Sequence, residues 1–96
     1  MNGYELTVIL RINENLDATR ETVNAILQKH GVETRSVDEW GRRKLAYAID
    51  RAEDGFYLLY NIGASPDVVK NIVAEFRLNH DILRFLFVKL DEVKTA

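Results

Sequence analysis

The sequence predicts an α+β fold: a ferredoxin-like split βαβ sandwich, with a four-stranded antiparallel sheet in the order 4-1-3-2 and two helices on one face. Three observations lead there. Hydrophobic periodicity gives the order strand, helix, strand, strand, helix, strand. The two halves repeat one strand–helix–strand pattern. Each helical segment carries a single apolar stripe, so each buries one side only, and right-handed crossovers put both helices on the same side of the sheet. The second and fourth strands are then the edges, and one sheet face has no helices over it.

The first strand is Tyr4 to Arg11, with Tyr4, Leu6, Val8 and Leu10 on one face and Glu5, Thr7, Ile9 and Arg11 on the other. Asn13-Glu14-Asn15 ends it, and Asp17 is read as the N-cap of a helix that runs to His30. Val23, Ile26, Leu27 and His30 form its stripe, and Gly31 fits the left-handed position after a helix. The second strand begins near Val32, is interrupted around Trp40-Gly41 and continues through Ile49, followed by a polar hairpin loop from Asp50 to Gly55. Phe56 to Ile62 is the third strand. Ser65-Pro66-Asp67 starts the second helix with a hydroxyl cap, a proline at the first helical position and an acid. Val69, Ile72, Val73 and Phe76 mark its stripe, Asn79-His80-Asp81 breaks it, and Leu83 to Leu90 is the last strand.

Ninety-six residues suffice for one core, so residues 1–96 are read as a single domain. With no cysteine, disulfides, thiol nucleophiles and thiolate metal sites are excluded. No apolar run approaches a membrane span and none resembles a leader, so a cytoplasmic protein is expected. His30 and His80 fall at predicted helix ends, where a side chain able to carry positive charge suits the helix dipole. Zinc-protease, phosphate-loop and serine-triad patterns are missing, so neither enzyme nor cofactor nor small-molecule substrate is expected. Tyr60 reads as core and Tyr57, by parity, lies on the opposite face.

Net charge is −2, from 13 cations and 15 acids, which argues mildly against a lone RNA binder. The distribution is less even. Between Arg35 and Arg51 stand five cations and three acids, with Arg42-Arg43-Lys44 in one block. Such a patch on a nearly neutral body contacts phosphate weakly and calls for help from a more basic protein. Past Gly41 the alternation puts Arg43, Leu45, Tyr47 and Ile49 on a core face and Arg42, Lys44, Ala46 and Ala48 on the other. A charged edge strand that blocks stray pairing would explain the block without any ligand. The face without helices would display Ile9, Tyr57, Leu59, Leu86 and Val88, flanked by Arg84 and Lys44, while Phe85 and Phe87 point into the core. An apolar patch of that kind marks a partner site, and Trp40 joins it as a contact candidate.

Trp40-Gly41-Arg42-Arg43-Lys44-Leu45-Ala46-Tyr47, then Ile49, closely resembles the central motif of the bacterial small-subunit ribosomal protein six family. Tyr4-Glu5 at the first strand, Phe76-Arg77-Leu78-Asn79 before the last and the chain length are similar too. The resemblance implies binding to the central domain of small-subunit ribosomal RNA as a heterodimer with ribosomal protein eighteen, a small basic protein. It implies that Arg42, Arg43 and Lys44 contact RNA, and charge and strand position add Arg84 and Lys89. This chain has Ala48 where the family often has proline, Asn2-Gly3 where an arginine often precedes Tyr-Glu, and no acidic extension after Lys94-Thr95-Ala96. From a different class, a regulatory or ligand-sensing module that homodimerises through the open sheet would explain the patch but not the cationic block. An acylphosphatase-like hydrolase lacks the anion loop.

Overall fold

Alternation of two and stripes of three to four residues produce the expected order of elements in the computed structural model, which describes residues 2–90. They are β1 (Asn2–Leu10), α1 (Leu16–Lys29), β2 (Glu33–Ile49), β3 (Ala52–Ala64), α2 (Pro66–Phe76) and β4 (Ile82–Lys89). All strand pairs are antiparallel and the sheet order is β2-β3-β1-β4, the predicted 4-1-3-2 read from its other edge. Lys94-Thr95-Ala96, named above for its lack of an acidic extension, lies outside the described residues.

One face of β1 and β3 packs under the helices. Tyr4, Leu6, Val8 and Leu10 meet Leu58, Tyr60 and Ile62 there, beneath Val23, Ile26 and Leu27 of α1 and Ile72 and Phe76 of α2. β4 contributes Phe85 and Phe87, as expected. Their rings join Phe76 and Tyr4 in a cluster with centroids 5.3 to 6.4 Å apart, a spacing at which aromatic pairs attract beyond their area burial. Tyr60 is fully buried and its hydroxyl donates to Asn24 Oδ1 at 2.8 Å. Burial pushes that phenol up to about 12, partly offset by the Arg20 charge, so it stays a neutral donor.

The helix ends follow their caps. Ser65 Oγ accepts from Val68 N at 3.3 Å with Pro66 next in line, and Gly31 takes φ +70° after the C-cap His30. Asp17, however, is not the cap of α1. Asn15 holds that position without a side-chain bond, and Asn13 Oδ1 accepts from Asn15 N at 2.9 Å, turning the chain two residues earlier. Asp17 remains an acid in the first turn, where it favours the helix dipole. At the far ends of the helices, Glu75 of α2 accepts from Lys29 Nζ at 3.1 Å and contacts His30 Nε2. Those bonds hold its carboxyl below the ordinary range, His30 first and Lys29 second.

The β2–β3 hairpin departs most from the sequence reading. β2 runs unbroken through Trp40-Gly41, although β-bulges shift its register after Thr34 and again after Glu39. Arg35 and Trp40 are the extra residues, and Gly41 beside the second takes a left-handed φ of +76°, which glycine adopts without steric cost. The polar stretch from Asp50 to Gly55 is not a loop. Asp50 and Arg51 alone make the turn, both with positive φ (51° and 67°), as in the type I′ turn that matches strand twist. β3 starts directly after, at Ala52. Between the pairs Lys44↔Asp54 and Ile49↔Ala52, Leu45 to Ala48 stand against Glu53 alone, so β2 balloons outward there.

Candidate protein and RNA interface on the open sheet face

Paired residues of an antiparallel sheet share a face, so register fixes what each side presents. On the face without helices, Thr7 stands between Leu59 and Leu86, Glu5 pairs with Val88, and Ile9 stands between Tyr57 and Arg84. Leu86 and Val88 are 59% and 45% exposed, which leaves an apolar strip along β4 open to solvent. Tyr57 and Leu59 are half-buried behind it. Ile9 differs from expectation: it is buried, at 8% exposure.

Gly55 explains why. A Cβ at this position would lie 2.4 Å from Ile9 Cγ2 and 3.5 Å from Leu45 Cδ2, so its absence lets both side chains close over it. Leu45 is buried against the open face, and Arg43, opposite Gly55, shares that face. The assignment of Arg43, Leu45, Tyr47 and Ile49 to a helix-side core is therefore corrected. These apolar residues do cover something, but it is the far side of the sheet. The ballooned segment brings Tyr47 within reach of β4, where Arg84 Nη1 donates to the Tyr47 hydroxyl and the guanidinium lies 5.4 Å from the ring centroid. Thr7, Ile9, Arg84, Phe85 and Leu86 line a small cavity of about 160 Å³ beside this clasp.

The predicted cations separate. Arg43 lies with its guanidinium 5.3 Å from the centroid of the half-exposed Trp40 ring, at the same end of the open face as Arg84. Arg42 pairs with Phe56 on the reverse face and is bound to Asp54 Oδ2 through Nε at 3.1 Å and Nη2 at 2.7 Å. Lys44, expected to flank the open face, instead stands opposite Asp54 on the reverse side. Lys89, opposite Tyr4, is also on the reverse side. Tyr47, expected on the core face, is 60% exposed and bears on Arg84. Only the four-against-one register of the hairpin, which the sequence does not display, brings it there.

Among the described residues no group of three His, Asp or Glu side chains is placed to hold a metal ion, and no helix is long and apolar enough to cross a membrane. The sequence pattern of the family described as Ribosomal protein S6 matches residues 3–89. The chain is 36% identical over 91 residues to small ribosomal subunit protein bS6 of Clostridium novyi (strain NT), covering 92% of this chain and 96% of that one. It is 38% identical over 97 residues to bS6 of Synechocystis sp. (strain ATCC 27184 / PCC 6803 / Kazusa), covering 98% and 86%. In backbone it is similar to the crystal structure of 30S ribosomal protein S6 from Thermotoga maritima, with a TM-score of 0.84, 22% identity and coverage of 93% and 87%, which supports the fold. With nearly the whole length matched, the chain belongs to the ribosomal protein S6 family, structural proteins of the small ribosomal subunit rather than enzymes.

Proposed function

We propose that this ribosomal protein works in the cytoplasm as one domain that binds the central domain of small-subunit ribosomal RNA together with ribosomal protein eighteen. One observation carries the reading: an uncovered sheet face joins exposed Leu86 and Val88 to a cationic end, on a chain of net charge −2. The apolar strip of Leu86, Val88, Leu59 and Tyr57, with Trp40 beside it, seats the partner protein. Ile9 supports the strip from beneath. The partner's basic charge supplies what this chain lacks, and cations at the rim reach RNA phosphate; Arg42, Arg43, Lys44, Arg84 and Lys89 are the candidates. Affinity for RNA then belongs to the pair, since phosphate contacts act through counterion release and few are available here alone.

Light scattering after size exclusion tests the protein–protein half. The expected result is a monomer alone and a one-to-one complex with ribosomal protein eighteen, weakened by Leu86→Glu. A stable homodimer without affinity for that partner would overturn the proposal in favour of a self-associating sheet.

A further inference from the structure

Six of the eight arginines divide by what holds them, while Arg51 and Arg77 have neither a carboxylate within 4.0 Å nor a ring partner among the described residues. Arg11, Arg20, Arg35 and Arg42 each lie within 4.0 Å of a carboxylate oxygen. Arg43 and Arg84 have no carboxylate at that distance among the described residues; the Arg43 guanidinium instead lies 5.3 Å from the centre of the exposed Trp40 ring, and that of Arg84 is bonded to the hydroxyl of the exposed Tyr47, 5.4 Å from its ring centre. The difference is chemical. A carboxylate takes up the N–H donors of a guanidinium, whereas a ring attracts its charge without accepting from those donors and a single hydroxyl takes only one. Arg84 spends one N–H on the Tyr47 hydroxyl and keeps the rest. Both are thus oriented and still unsatisfied as donors, which is the condition for taking an anion in bidentate fashion.

Chance placement is a weak account. Cation–ring pairs strong enough to matter energetically occur roughly once per 70–80 residues, so a chain of this size is expected to have about one. Among the described residues there are three, and two stand at the same end of the same sheet face. The third, Arg20 over Phe56, is already closed by Asp17 and Glu39. β2 and β4 are separated by three strand spacings, roughly 14 Å, so Arg43 and Arg84 flank the end of the face where the ballooned segment lies. That segment buries Leu45 over Gly55 and brings Tyr47 to Arg84.

Building on the RNA reading above, we infer that Arg43 and Arg84 are the residues that take the RNA backbone phosphates, held for it by Trp40 and Tyr47 as positioning residues. Arg42 is closed by Asp54, and Lys44 and Lys89 face the other side, so these three make no phosphate contact. The ligand is a pair of phosphodiesters of one RNA strand crossing the end of the open face beside the seated partner.

The test uses the complex with ribosomal protein eighteen and a central-domain fragment of small-subunit ribosomal RNA, by filter binding across a salt series. Sizing each variant complex first shows whether the protein–protein contact survives. Arg43→Gln and Arg84→Gln should each flatten log affinity against log salt by about 0.7 to 0.9, and together by about twice that. Arg42→Gln, Lys44→Gln and Lys89→Gln should leave the slope unchanged. Tyr47→Phe, which removes the hydroxyl that Arg84 donates to, and Tyr47→Leu should each bind several-fold more weakly while leaving the salt slope unchanged. Flattening in the second group, or in neither, overturns the assignment while the RNA reading stands. Loss of the protein complex in Arg43→Gln or Arg84→Gln overturns it as well, by making these residues part of the protein seat. A parent complex that does not bind the RNA removes the reading itself, and the assignment with it.

Discussion

Replacing Gly55 by alanine probes the closure that turns the open face into a platform. The new Cβ would sit 2.4 Å from Ile9 Cγ2, against the 3.5–4.0 Å of a comfortable carbon contact, so something must move by more than an ångström. The room to move is small. Ile9 is buried between strands, Leu45 Cδ2 lies 3.5 Å from the same point, and the Leu10 carbonyl closes a third side at 3.6 Å. Overpacking of this kind costs about 1–3 kcal/mol. Gly55 does not have positive φ, so alanine adds no backbone strain and recovers about 0.4–1 kcal/mol through the less flexible unfolded chain. The net expectation is a loss of about 1–2 kcal/mol, which for a domain of this size lowers Tm by roughly 4–16 °C. Urea denaturation of Gly55→Ala, Ile9→Ala and the double variant measures it. Ile9→Ala costs stability by itself, but it removes the clashing methyl, so the double variant should lose about 1 kcal/mol less than the sum. A neutral Gly55→Ala, or strict additivity, would refute the closure of Ile9 and Leu45 over this glycine.

Two further outcomes concern stability. Phe87→Ala should cost about 3 kcal/mol, the low end for an aromatic truncation because the ring is only partly buried, whereas Leu86→Ala should cost about 1 kcal/mol or less in the free protein and weaken partner binding. Denaturant midpoints rank them, and the reverse order would mean that β4 presents its other face to the helices. Glu75 has a folded-state pKa below its ordinary 4.5, so it binds fewer protons in the folded than in the unfolded protein. Its contribution is therefore complete above about pH 4.5 and lost as pH falls through the lowered folded value. Glu75→Gln should flatten the acid limb of stability against pH; an unchanged limb would show that the contacts with His30 and Lys29 carry no linkage.

Much of the fold was legible because its determinants are local. Period-two alternation placed Leu6, Val8 and Leu10 in the core, the Ser65-Pro66 pair fixed the start of α2, and the size of Phe85 and Phe87 identified the buried face of β4. The hairpin was less legible because a bulge changes parity without changing composition. Arg35 and Trp40 each insert one residue into β2, and Leu45 to Ala48 insert several more, so counting by twos along Arg43, Leu45 and Tyr47 cannot say which side of the sheet they cover. Apolar character alone points to burial under the helices, whereas Leu45 is buried on the opposite face. Asp50-Arg51 concealed a tight turn because neither residue is glycine, although aspartate tolerates positive φ. The cationic block was visible as charge. Its division into a carboxylate-held Arg42 and a ring-held Arg43 depends on register and could not be read from adjacent letters.

The central claim is joint recognition: an apolar sheet face seats a basic protein, and only the pair holds RNA. The most direct measurement titrates a central-domain fragment of small-subunit ribosomal RNA with this chain alone, with ribosomal protein eighteen alone, and with both, at fixed salt. The account predicts weak binding by either protein separately, tight binding by the two together, and loss of that gain in Leu86→Glu. Tight binding by this chain alone, or an unaltered gain in Leu86→Glu, would contradict it.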